Sequence, residues 1–468
     1  MKSNPLVTIY IPCRNYGRFL RQSVESVYQQ LYTNWELVIV DEGSDDDSVE
    51  LAEELCRHFP AKTKLLQNKK PTGLQRLANM VLALANGKYM VRLDADDWFD
   101  ENALLVMVAK LESSPDIGLV YGNYFYTDPN GNVLGVERRY KLGIEDNVGQ
   151  LPPHGACTMF RTRSLKAVGG YSEDINAQDG WELWYKLYDR IGAASIDVPT
   201  FYYRQHGDSL SRDSNRLLQA RSRIFERLSQ SLNGDYGLKN VAVIPVKESY
   251  PGFEGVPFRD FGGCSLLERA INSAARSSKV SSVVVSSSSQ RVLDYSEELE
   301  RSGSVPPHLR VLRNEELGGR NIPIRELMIH AGEHFFSVEG EYPDAIAFLS
   351  LHAVYRQTSH IDKAFNVLRI TESDTVTSVQ EEREPMFSYG GDGLDLLNPG
   401  RFQDLIYDRE RLYRFNGSII ASWWDVLQEH HLFGEKIAFI EMSAEDSIQI
   451  KHPSMLNLAA YGSGNSKE

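Results

Sequence analysis

Short apolar runs alternate with stripes at helical spacing from the start of the chain. Val7-Thr8-Ile9-Tyr10-Ile11 is rich in β-branched residues and predicts a strand. Leu20, Val24, Val27, Tyr28 and Leu31 recur at helical intervals and predict one apolar face packing on that strand's sheet. Leu37-Val38-Ile39-Val40 predicts a second strand, stopped by Asp41-Glu42-Gly43-Ser44 ahead of a helix from Ser48. Lys64 to Gln67 reads as a third strand, Thr72 to Ala85 as a helix, and Tyr89-Met90-Val91-Arg92-Leu93 as a fourth strand that stops at Asp94. Such a βαβαβαβ run predicts a mostly parallel sheet, and sheets of that kind place ligands at the carboxyl ends of their strands. Both acidic clusters, at Asp41 and at Asp94, fall at such ends.

Beyond Trp98 the pattern predicts a helix from Glu101 to Leu111, strands around Leu119 to Tyr126, a Pro129-Asn130-Gly131 turn, and helices over Trp181 to Tyr188 and Asn215 to Leu232. The polar, Gly-containing stretch from Ser229 to Gly237 predicts a linker. A fresh α/β pattern follows: strands at Val241 to Pro245, Val280 to Ser286 and Ala345 to Ser350, with a helix at Leu266 to Ala275. Ser286 to Ser289 reads as a loop. The expected organisation is α/β throughout, two Rossmann-like nucleotide-binding domains in tandem: residues 1–232, a linker at 233–239, residues 240–456, and a Gly/Ser-rich disordered tail at 457–468.

Length supports the division, since 468 residues exceed what one core holds. With 50 Lys and Arg against 64 Asp and Glu, the net charge is −14, which argues against nucleic acid as a partner because phosphate-binding surfaces need a surplus of cations. Cys13, Cys56, Cys157 and Cys264 are too scattered for a CxxC metal or redox site, and a reducing compartment is the simple reading. Residues Met1 to Pro5 lack the layout of a secretory signal, and no stretch has the roughly 18 uninterrupted apolar residues of a spanning helix. The expectation is a cytoplasmic protein that docks at most on a membrane surface.

Asp94-Ala95-Asp96-Asp97 crowds carboxylates where such a sheet holds a nucleotide. They repel one another unless a cation joins them, and a hard divalent ion bridging a ligand's phosphates is the natural partner. An acidic turn capping the next helix is the simpler alternative. Five other motifs stand around this one in order: Ile11-Pro12-Cys13-Arg14-Asn15-Tyr16, Val40-Asp41-Glu42-Gly43-Ser44, Asn79 ahead of Gly87-Lys88-Tyr89, Gln178-Asp179-Gly180-Trp181-Glu182-Leu183-Trp184, and Tyr203-Arg204-Gln205-His206-Gly207. Together they resemble the family-two glycosyltransferases of the GT-A fold, over about Pro5 to Arg216. The resemblance implies that Pro12, Arg14, Asp41, Asn79 and Asp94 line the nucleotide-sugar pocket, with Asp41 accepting from a nucleobase N–H. It implies that Asp96 and His206 take the metal, Mn²⁺ or Mg²⁺, and that Asp179 is the general base of an inverting transfer. Taken alone, Asp179 also suits the cap of an amphipathic helix, Asp41 a turn, and His206 an exposed loop. Glu42 stands where the family more often has Asp, Ala78 where it often has Arg, and no Gln-x-x-Arg-Trp motif marks a processive polymer synthase.

From Val241 to about Ile450 the chain is similar to the CMP-sugar synthetases, through Ala242-Val243-Ile244-Pro245-Val246-Lys247, Gly255-Val256-Pro257-Phe258-Arg259-Asp260-Phe261, Leu266-Leu267-Glu268-Arg269-Ala270-Ile271, Val283 to Ser287, Asp374 to Val379 and Tyr413 to Ile419. That likeness implies nucleotide contacts from Lys247, Arg259, Arg356 and Asn416, and CTP or a CMP-sugar as ligand. The departures predict altered or lost activity. The family's Gly-rich phosphate loop reads Lys247-Glu248-Ser249-Tyr250-Pro251-Gly252-Phe253-Glu254, and its late Asp-x-Asp reads Gln449-Ile450-Lys451.

The two resemblances imply a bacterial-type enzyme of polysaccharide assembly, moving sugar from a nucleotide-diphosphate donor to a glycan or glycolipid acceptor. Three readings of the second half stay open: a nucleotidyltransferase making a CMP-activated group, a binding domain, or a scaffold. A rival of another class is a non-catalytic sugar-nucleotide-binding or assembly protein. A homodimer is compatible with the synthetase likeness.

Overall fold

The computed structural model describes residues 4–137, 155–175, 179–206, 214–231, 237–319, 322–371, 373–391, 393–398, 412–429 and 432–456. The chain forms two compact units, Met1–Ile224 with Arg383–Arg411, and Phe225–Glu382 with Leu412–Glu468. The expected tail at 457–468 and most of the expected linker lie outside the described residues.

In the first unit the opening run is β1 (Val7–Cys13), α1 (Gly17–Tyr28), β2 (Trp35–Asp41), α2 (Ser48–Cys56), β3 (Thr63–Gln67), α3 (Leu74–Leu84) and β4 (Tyr89–Arg92). The four strands are parallel in the order β3-β2-β1-β4, as the alternating pattern requires. Register sets Cys13 level with Asp41, so the loops after β1 and β2 leave the sheet side by side. Because strand side chains alternate, Ile9 and Ile11 meet Leu20, Val24 and Val27 of α1 on one face, while Tyr10, Val38 and Val40 meet Leu77, Ala78 and Val81 of α3 on the other. Ala78 is fully buried in that second layer, where an arginine would have no room. Leu31 does not join the stripe: α1 ends at Tyr28, and Leu31 is 58% exposed.

The unit continues with β5 (Trp98–Phe99), α4 (Ala103–Ser113), β6 (Leu119–Thr127), β7 (Val133–Glu137), β8 (Met159–Arg161), α5 (Thr162–Ala167), α6 (Asp179–Ile191), β9 (Ala193–Arg204) and α7 (Ser214–Ser231), in which the division between the units falls. These strands extend the sheet as β8-β6-β9-β5, with β8 antiparallel to β4 and β7 paired to β6. β9 runs 12 residues from α6 back to the end of β4's loop and delivers the segment ending at His206.

The second unit opens β10 (Asn240–Val246), α8 (Leu266–Ala275), β11 (Ser282–Ser287), α9 (Gln290–Arg301), β12 (Leu309–Leu312), α10 (Glu315–Gly318), α11 (Ile324–Glu339), β13 (Ala345–Leu349), α12 (Thr358–Ile370) and β14 (Thr375–Glu382). The hairpin β15 (Phe387–Tyr389) and β16 (Leu394–Leu396) belongs to the first unit, and β17 (Leu412–Trp423), α13 (Trp424–Gln428) and β18 (Ile437–Glu441) complete the second. Its sheet runs β12-β11-β10-β13-β17-β14-β18. The parallel order β12-β11-β10-β13 matches β3-β2-β1-β4 of the first unit, and β17 is antiparallel to both of its neighbours. Ser286 and Ser287 prolong β11 instead of forming a loop, with both side chains buried. Among the described residues no helix is long and apolar enough to cross a membrane.

His360 sits in the first turn of α12, where its Nδ1 accepts the Gln357 amide at 3.1 Å. Burial, with Lys363 and Arg356 nearby, pushes its pKa down to about 3. The folded chain therefore refuses a proton that the unfolded chain binds below its ordinary pKa near 6.5, so stability present above that pH is lost as pH falls toward about 3. Urea midpoints for the wild type should drop between pH 7 and pH 5, and His360→Gln should flatten that slope while lowering the pH 7 midpoint.

Candidate active site

The loops after β1 and β2 are stitched into one platform. Asn15 adopts a left-handed conformation, φ 59°, which asparagine tolerates better than most residues. Its amide donates to Ser44 Oγ at 2.9 Å, and its Oδ1 accepts from the Asp45 amide at 2.8 Å. Asp46 adds a bond from the Gly17 amide at 3.0 Å, anchoring the start of α1. Pro12 is half-buried at the end of β1, and Arg14 is exposed at the rim. Asp41 is buried, and its carboxylate accepts from the amides of Gly43 (3.0 Å) and Ser44 (3.3 Å), shaping the left-handed turn at Gly43. It is thus at least a turn former, the simpler of its two readings.

Glu42 has a role that its sequence position did not disclose. Its buried carboxylate accepts from Asn68 Nδ2 at 2.5 Å, Thr72 N at 2.6 Å, Thr72 Oγ1 at 2.9 Å and Gly73 N at 3.0 Å, satisfying amides left open at the start of α3. The longer side chain bridges to a helix the turn would not otherwise reach.

Across the sheet end lies the acidic turn. Asp94 pairs with Arg92 Nε at 2.9 Å. Asp97 is fully buried: burial first, then the carboxylates of Asp96 and Asp94, push its pKa well above the usual range, against the Arg204 amide that donates to it at 2.9 Å. Asp96 Oδ2 lies 2.9 Å from His206 Nε2, across a sequence separation of 110 residues. The imidazole is wedged between Tyr16 and Phe19, with ring centroids at 5.6 and 5.1 Å, and is buried rather than exposed in a loop. Its Nδ1 is buried without a hydrogen-bond partner among the described residues.

Asn79 does not join the group. Its Nδ2 donates to the Tyr171 carbonyl and its Oδ1 accepts the Tyr171 amide, both at 2.9 Å, so the expected pocket residue is a clamp between α3 and the segment before α6. Asp179 opens α6, but its side chain and the Gln178 before it lie outside the described residues. Trp184 is buried in the core, edge-on against Tyr121.

In the second unit the expected nucleotide contacts are occupied within the protein. Lys247 Nζ donates to the Gly319 carbonyl at 2.7 Å, and exposed Arg259 donates to the Glu254 carbonyl at 3.0 and 3.1 Å. Arg356 is buried on the Ser350 carbonyl at 2.7 Å, and burial lowers its pKa to about 10. Asn416 is buried between Ser378 Oγ, at 2.6 Å, and Ser447 Oγ, at 2.9 Å. Gln449 Nε2 donates to the Asn416 carbonyl, and Lys451 is exposed.

Comparison with known proteins decides the lineage of the first unit. Residues 8–169 match the model of glycosyl transferase family 2. The putative glycosyltransferase EpsE of Bacillus subtilis is 37% identical over 219 residues, 46% of this chain and 78% of EpsE. The chain belongs to glycosyltransferase family 2. A second member, the UDP-Glc:alpha-D-GlcNAc-diphosphoundecaprenol beta-1,3-glucosyltransferase WfgD of Escherichia coli, is 30% identical, over 52% of this chain and 94% of its own length. The chondroitin synthase of Escherichia coli is 26% identical over 45% of this chain, which spans only 30% of that larger protein. These family 2 matches cover about half of the chain, and the synthetase likeness of the second half finds no support among them.

Removing the Glu42 carboxylate isolates the test of the α3 cap. Glu42→Ala should cost about 3 kcal/mol in urea unfolding, because buried donors lose their acceptor. Glu42→Asp, too short to span both loops, should recover only part of it.

Proposed function

We propose that the first unit transfers a sugar, with inversion, from a nucleoside-diphosphate sugar to a hydroxyl of a glycan or glycolipid acceptor. The observation that carries this reading is the Asp96–His206 contact after β4, at the carboxyl end of the sheet, two residues from Asp94. The family supplies the reaction class. WfgD, whose name gives a UDP-sugar donor and a diphosphoundecaprenol-linked acceptor, supports a lipid-linked glycan as one acceptor class. The likeness to a chondroitin synthase favours a polymer-building variant less, since no Gln-x-x-Arg-Trp motif is present.

A divalent cation fits the residues present. Of the three acids in the turn, Asp94 has the Arg92 guanidinium and Asp97 is pushed toward its neutral form, whereas the Asp96 carboxylate faces an imidazole. A carboxylate oxygen and an imidazole nitrogen suit Mn²⁺, and the buried His206 Nδ1 without a hydrogen-bond partner among the described residues leaves the ring uncommitted on its far side. No cluster of three or more metal-donor side chains occurs among the described residues, so the ligand's phosphates and water would complete the shell. When bound, the ion would offset charge on the departing diphosphate. Asp179 is assigned the proton of the acceptor hydroxyl: the oxygen bonds to the anomeric carbon, the bond to the diphosphate oxygen breaks, and the proton passes to the carboxylate.

The second unit is read as a cytidylyltransferase-like domain of altered or lost activity. Gln449 and Lys451 supply no carboxylate pair for a metal, and Arg356 and Asn416 are spent on internal carbonyls and hydroxyls. A bifunctional enzyme would instead release pyrophosphate from CTP, and that release would vanish in Lys247→Ala.

Donor turnover tests the main reading. With Mn²⁺, the chain should release UDP, GDP or dTDP from one member of a donor panel in the presence of a lipid-linked glycan. Asp179→Asn should lower kcat about 10²- to 10⁴-fold, the usual contribution of a general base, and Asp96→Asn should abolish the metal dependence. No nucleoside diphosphate from any donor, or full activity in Asp179→Asn, would favour the non-catalytic rival.

A further inference from the structure

Arg204, which stands inside the Tyr203-Arg204-Gln205-His206-Gly207 motif, has no role assigned by the motif itself. Arg204 lies two positions before His206, is 3% exposed, and makes contacts with three separate elements. Its Nε donates to the Asp96 carbonyl at 2.8 Å, while its own amide holds Asp97 Oδ1 at 2.9 Å. Nη2 reaches Gln22 Oε1 of α1 at 2.5 Å, and Nη1 reaches the Pro129 carbonyl in the turn between β6 and β7 at 2.7 Å. The guanidinium lies over the rings of Phe19 and Trp98, each 4.6 Å from its carbon. Phe19 also packs the His206 imidazole, and Trp98 stacks on Tyr202 at 4.9 Å.

We propose that Arg204 is the positioning residue of this centre: it fixes the Asp96 main chain and the His206 ring in one frame before any cation arrives. The inference rests on the reading of Asp96 and His206 as the cation pair. A lysine would keep the charge but has neither the planar fork for three separate acceptors nor the flat face for two rings. Geometry rather than charge is therefore the property to test.

Binding of Mn²⁺ alone, followed by the electron paramagnetic resonance signal of the free ion, gives a readout that does not depend on turnover. Arg204→Lys should weaken Mn²⁺ binding at least about tenfold, the loss usual when a group supporting a metal ligand is removed. Gln22→Ala leaves the arginine and the core intact. It should weaken binding by a smaller factor with an unchanged melting temperature, and it carries the test if Arg204→Lys does not fold. Wild-type affinity in both folded variants, or in Gln22→Ala alone when the lysine variant is unfolded, overturns the proposal. A wild-type chain that takes up no Mn²⁺, or an Asp96→Asn chain that binds it as tightly, overturns instead the reading beneath it.

Discussion

Three carboxylates within four residues at the end of β4 are the constraint around which the first unit is arranged. Like charges so close cannot all be ionised without help. Each is relieved differently: Asp94 by a guanidinium, Asp97 by burial that favours its neutral form, and Asp96 by an imidazole whose commitment is reversible. Only the last leaves a carboxylate free to change partners. That asymmetry, and not the count of acids, is what singles out Asp96 for the cation role proposed above.

The surrounding fold supplies those partners from far along the chain. Arg92 comes from β4 itself, but His206 and Arg204 arrive through β9, which crosses beside β6 before reaching the acidic turn. α1 contributes Phe19 and Gln22 from the other side. A parallel sheet gathers its loops at one end, so residues nearly two hundred positions apart become neighbours without a long unsupported loop. Glu42 serves the same end more quietly by fixing the start of α3 beneath the platform.

The sequence disclosed what local periodicity encodes. β1 to β4 and their helices follow from alternation and helical spacing, and the carboxyl-end position of Asp94 and Asp96 follows from them. β7, β8 and most of β9 did not stand out, because β8 is three residues long and the mid-section of β9 is half-exposed, leaving no strong alternation. The place of Asn79 in a motif says nothing about which way its helical side chain faces. Packed against the segment before α6, its amide finds a backbone to bind. Arg204 stands in a motif whose pattern says nothing of its partners, because only tertiary structure brings two rings and three acceptors around it.

The second unit shows how architecture and chemistry separate. Its strands open in the same order as those of the first, with an antiparallel strand inserted after the fourth, so the carboxyl ends again converge. At the corresponding end the polar groups mostly face one another: Asn416 holds Ser378 and Ser447, Gln449 closes on the Asn416 carbonyl, and Arg356 lies on the Ser350 carbonyl. An acidic pair there would have needed a cation to be tolerated. An amide needs only a carbonyl, which the chain itself provides. The polar groups at this end are thus satisfied by the chain itself, so the shared architecture does not by itself bring a shared chemistry.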